Sequence, residues 1–189
     1  MAAALALPGD GRSRSDEARI RVKATLAVGR YTDALAAIRR ARRRAAYATD
    51  PVLALGEAEA LFGLLRAEAV LAVATAALRR SAPLTRDLEA RLRLCRGQGL
   101  WLTGKPDQAR GEMERAAALC TTPLTRARLH ELRIATSHAT EGAERARHHA
   151  VAAAAFYGRA GSPEGVAAPE AANNTVACTA LIPMLSLGI

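Results

Sequence analysis

Aromatic side chains are scarce, with one tryptophan, three tyrosines and two phenylalanines in 189 residues. That is too few for a platform on which nucleic-acid bases stack, and too few large rings to fill the centre of one compact globule. Cysteine is equally sparse. Cys95, Cys120 and Cys178 include no CxxC pair, so they read as small core fillers in a reducing compartment and not as a zinc or dithiol site. Glycine-rich phosphate loops, G-x-S-x-G and H-E-x-x-H are all missing, which leaves no catalytic motif and predicts a non-enzyme. Metal ligation has no local support either: His148 and His149 diverge by about 100° on a helix, and His130 and His138 stand eight apart without an acidic or thiolate partner at ligand spacing. No cofactor or metal is expected. Long apolar runs are absent as well, since the uncharged stretch 176–189 is short and broken by Pro183, which argues against a membrane span.

What is present is alanine, arginine and leucine in helical patterns. Half the chain is hydrophobic by count, much of it alanine, and β-branched runs suited to strands do not occur. Residues 97–119, GQGLWLTGKPDQARGEMERAAAL, carry the clearest pattern. Gly97, Leu100 and Trp101 recur on one helix face, Gly104 suits a left-handed helix end, and Pro106 opens the next helix. There Ala109, Met113, Ala116 and Ala117 form an apolar stripe, with Arg110, Glu112 and Glu114 directed elsewhere. Small residues on facing stripes allow two antiparallel helices to approach closely.

This hairpin resembles a tetratricopeptide repeat in the positions of Gly97, Gly104, Ala109 and Ala116. Further copies centre on Gly29, Ala34 and Ala41, on Leu65, Val70, Ala74 and Ala77, and on Glu141, Ala146, Ala150 and Ala153. The four turn positions Gly29, Leu65, Gly104 and Glu141 recur at about 37 residues, slightly longer than the family's roughly 34. The expectation is an all-α fold, a TPR-like α-α superhelix of about four helical hairpins. Residues 1–14 are expected to be a disordered leader, 15–160 the repeat domain, and 161–189 a partial helix followed by an apolar tail. Cap and first-turn pairs at Asp50–Pro51, Thr122–Pro123 and Ser162–Pro163 mark where new hairpins begin, and Ser15 or Asp16 is placed to cap the first helix.

The resemblance implies a non-catalytic protein-protein interaction scaffold, whose first helices line a concave groove. The groove positions are Arg19, Lys23, Leu55, Glu59, Phe62, Arg91, Leu94, Gln98 and Trp101, while Gly29, Ala34, Ala41, Ala77, Gly97, Gly104, Ala109 and Ala116 pack the repeats. Long repeats rich in arginine, alanine and leucine look like the TPR arm of bacterial transcription regulators, which implies a cytoplasmic protein with a protein or peptide partner and no membrane partner. The alternative is a nucleic-acid-binding helical repeat, suggested by the net charge of +9 and by Arg39, Arg40, Arg42, Arg43 and Arg44. These arginines lie in the last turns of a helix, where cations are favoured, and read better as a solvated face.

Overall fold

A computed structural model describes residues 11–80 and 83–161. These residues form eight α-helices and no strand: α1 (Gly11–Ala27), α2 (Tyr31–Arg42), α3 (Pro51–Gly63), α4 (Ala67–Leu78), α5 (Arg86–Leu102), α6 (Pro106–Ala117), α7 (Pro123–Thr140) and α8 (Ala143–Arg159), with a 3₁₀ turn Ala45–Tyr47 after α2. Helix α1 starts at Gly11, inside the stretch expected to be a leader and ahead of the expected caps Ser15 and Asp16. The Ser162–Pro163 pair, Cys178 and the apolar tail lie outside the described residues.

Four antiparallel pairs are joined by tight turns, and the turns share one hydrogen bond. The N–H of Arg30 donates to Thr25 O, that of Arg66 to Leu61 O, and that of Lys105 to Leu100 O, each at 2.9 Å, the six-to-one bond of a Schellman ending. The residue before each donor is left-handed: Gly29 at φ 71°, Leu65 at 55° and Gly104 at 72°. Leu65 thus does the work of the glycine that the pattern anticipates, despite the Cβ clash such a backbone imposes. At the fourth turn the left-handed residue is Gly142, at φ 94°, and not Glu141.

Each odd-numbered helix packs on its own partner and on the next odd-numbered helix, so α1 meets α3, α3 meets α5, and α5 meets α7. Polar staples tie these contacts. Asp50 caps α3 by accepting from Val52 N at 2.8 Å, while its second oxygen receives Arg19 of α1 at 2.9 Å. Arg91 of α5 donates to Glu59 of α3 at 2.6 Å. Asp87 of α5 receives Thr125 Oγ1 at 2.8 Å, Thr122 Oγ1 at 3.0 Å and the Thr122 N–H at 3.2 Å from the start of α7. Helix α7 therefore has its own cap, Thr122 to Thr125 N at 3.3 Å, and a second acceptor on its neighbour.

The core runs along the array. One cluster gathers Ala34, Leu35, Ala54, Leu55, Ala58, Val70, Ala74, Leu92 and Cys95, and the next gathers Ala90, Leu94, Met113, Ala116, Cys120, Leu129 and Leu132. A buried leucine contributes about 2 kcal/mol and an alanine methyl about 0.8, so stability comes from leucines at helix crossings while alanine sets the spacing. Helix α5 is closely approached from several sides. A Cβ on Gly97 would stand 3.1 Å from Leu132 of α7 and 3.5 Å from the Ala109 carbonyl of α6, and one on Gly99 would stand 2.9 Å from Leu71 of α4. Ala34, Ala77, Ala109 and Ala116 are buried and Ala41 is partly buried; Ala117, expected in the stripe, is exposed.

Candidate functional site

The stripe on α6 contains a residue that sequence reasoning directed to solvent. Glu112 is 2% exposed, between Ala109 and Met113 on the face that packs against α5. Its carboxylate is held by three guanidiniums. Arg96 and Arg115 both donate to Oε1, the latter at 2.7 Å, and Arg93 lies 3.5 Å from Oε2 while also binding Glu89 at 2.6 Å. Glu112 and Arg115 are thus more than the exposed i,i+3 pair that their spacing suggests, because α5 supplies Arg93 and Arg96 from across the hairpin. The pairing of Arg93 with Arg96 at i,i+3 was the available signal, and it becomes meaningful only once the two helices face one another. An open cavity of about 540 Å³ adjoins the cluster, lined by Arg96, Arg115, Gln108 and Asp107 on its polar side and by Leu71 and Leu100 on its apolar side. Three cations face two buried or half-buried carboxylates in the cluster, while the cavity wall itself sets Arg96 and Arg115 against Glu112 and Asp107, so its charges balance beside an apolar floor.

The residues expected to line a groove divide into three groups. Leu55 and Leu94, each 3% exposed, are core residues, because the odd-numbered helices turn those positions toward their neighbours. Arg19, Glu59 and Arg91 are engaged in the staples between helices. Lys23 is exposed, and Phe62, Gln98 and Trp101 are partly exposed. The arginine run behaves as a solvated face: Arg39, Arg40, Arg43 and Arg44 are exposed, and Arg42 pairs with Glu57 of α3.

A second constellation joins α7 and α8. His130 and His149 approach with their Nδ1 atoms 3.2 Å apart, and Phe156 stacks on His130 at 5.6 Å between centroids. Burial, the neighbouring His149 and Arg133 pull the His130 pKa from 6.5 down to about 4; burial, Arg133 and Arg145 also lower that of His149, against the pull of Glu141. Both rings are neutral near pH 7. Nothing local in the sequence pairs residues this far apart, since the contact depends on the register of the α7–α8 hairpin. Cys95 and Cys120 are buried free thiols, and burial raises both pKa values, which makes them inert fillers.

Among the described residues, the fold and these clusters are all-α, packed hairpins with an open cavity at the α5–α6 pair. Residues 133–189, less than a third of the chain, match the model of the tripartite tricarboxylate transporter TctA family, from the end of α7 through α8 and beyond the described residues. No curated protein matches the chain, and no solved structure does. The family match corrects the tetratricopeptide resemblance. It overturns the reading as the TPR arm of a bacterial transcription regulator, the interaction-scaffold function and its nucleic-acid alternative, the cytoplasmic location and the expected lack of a membrane partner. The resemblance rested on glycine and alanine at hairpin contacts, which any closely packed pair of helices requires. Among the described residues, no helix is long and apolar enough to cross a membrane.

Proposed function

We propose that this chain is a non-catalytic component of a tripartite-type tricarboxylate transport system, associated with membrane partners through its C-terminal part. The observation that carries the reading is the family match over residues 133–189. The described helices fit a portion of such a component lying outside the bilayer, because exposed charges such as Arg21, Arg40, Glu68, Arg110 and Arg147 occur on helix after helix and each would be costly in hydrocarbon. We further infer that the four hairpins stack as an α-α superhelix, supported by the repeated contact of each odd-numbered helix with the next.

The test is uptake. Cells carrying a tripartite tricarboxylate system should take up labelled citrate faster with this chain than without it, and the chain should sediment with membranes in a form that salt alone does not release. Full recovery in the soluble fraction, with uptake unchanged on deletion, would overturn the assignment.

A further inference from the structure

We propose that His130 and His149 form a binding site for a transition-metal cation of the zinc class, bridging α7 and α8. The geometry is the reason. Zinc binds imidazole nitrogen at about 2.0–2.1 Å. With the two Nδ1 atoms 3.2 Å apart, bonds of that length would enclose an angle of about 100–106° at the metal, near the tetrahedral value, after small side-chain rotations that turn the two nitrogens toward one point.

The rings are also prepared chemically. An imidazole must be neutral to ligate, and an ordinary histidine is already largely so at pH 7.5. In the free protein one Nδ1–H donates to the other Nδ1. Metal binding shifts that hydrogen to Nε2, which frees both Nδ1 lone pairs to ligate. Phe156 lies nearly parallel to His130, at 16°, and Arg126 and Arg159 flank the Phe156 ring at 5.8 and 5.4 Å, which fixes the orientation of His130. His149 is buried, whereas His130 is partly exposed and leaves an approach for the ion.

Among the described residues, no third histidine, cysteine or acid completes the set. The site is therefore open, with water in the remaining positions, and exchangeable rather than structural. The charged groups facing the pair are Arg133, Arg145 and Glu141, with His148 edge-on to His149. The two arginines oppose a dication and Glu141 favours it, which keeps the affinity below that of a four-ligand site. This inference is independent of the transport reading, since it requires only the α7–α8 register.

Titration of the full chain with Zn²⁺ at pH 7.5, followed by calorimetry, should show one saturable equivalent that a chelator removes. Nitrogen-15 spectra of the wild-type histidine rings should show the Nδ1 signals of His130 and His149 moving together on zinc addition while those of His138 stay. His130→Gln and His149→Gln, checked for helicity by circular dichroism, should each lower affinity at least tenfold, and His138→Gln should leave it unchanged. Absence of saturation at about 1 mM Zn²⁺, or unmoved ring nitrogens in the wild type, would reduce the pair to a hydrogen bond and overturn the proposal. Binding that persists in both glutamine variants would place the metal elsewhere and overturn it equally.

Discussion

At the scale of single residues, two positions break local expectation, and each has a measurable consequence. Glu112 sits in an apolar stripe because three guanidiniums replace the water it loses. Removing it leaves half-buried Arg93 and Arg96 without their shared counter-charge, so Glu112→Ala should cost about 3 kcal/mol in urea unfolding. Arg115, 62% exposed at its side chain, is a rim partner, and Arg115→Ala should cost no more than about 1 kcal/mol. Similar losses for the two variants would contradict the described burial. Leu65 holds a left-handed backbone while 62% exposed, so its side chain gains little in return for the clash. Leu65→Gly should therefore raise stability by about 1 kcal/mol, whereas Gly104→Ala, at φ 72°, should lower it by a comparable amount. A drop in melting temperature for Leu65→Gly would show that the leucine contributes packing which outweighs its strain.

Between elements, the decisive feature is how consecutive odd-numbered helices are stapled. Asp87 reaches from α5 to the first turn of α7, and its carboxylate shows the effect: burial would raise its pKa, but the hydrogen bonds from Thr125, Thr122 and Thr121 outweigh burial and hold it below 3.8. Asp87→Ala should cost about 1–2 kcal/mol and release the early amides of α7 in hydrogen exchange, with α1 to α4 unaffected. Uniform loss of protection would mean that the array unfolds as one unit. Close approach gives a complementary probe. Ala109 is fully buried and its carbonyl faces Gly97, so Ala109→Leu should overpack the α5–α6 hairpin by about 1–3 kcal/mol. Arg110→Leu, next to it but exposed, should leave the melting temperature nearly unchanged.

For the whole molecule, acid should act in two stages. His130 and His149 have pKa values lowered on folding, so between about 6.5 and 4 the unfolded chain binds more protons and stability falls as pH falls. Asp87 works in the next window. Its stabilisation is complete above the ordinary carboxyl pKa and is lost as pH drops below 3.8 through its folded value. Thermal melts from pH 7.5 to 4.5 should show a decline that is smaller in the His130→Gln and His149→Gln double variant. An equal decline in both proteins would remove the histidine pair as its cause.

Local chemistry determined the helices and their ends. Gly29 and Gly104 permit left-handed turns, Asp50–Pro51 and Thr122–Pro123 start helices, and alanine at repeated positions marks the faces that touch. These signals act within one or two turns of chain, which is why they were legible. They did not extend to ancestry, because the hairpin pattern reports close packing and not lineage, and the match over 133–189 runs on past the last hairpin. The burial of Glu112, the removal of Leu55 and Leu94 from any groove, and the meeting of His130 with His149 were decided by tertiary structure alone. Each depends on the rotation and register of one helix against another. Those are set by the summed packing of many side chains, and no local spacing records them.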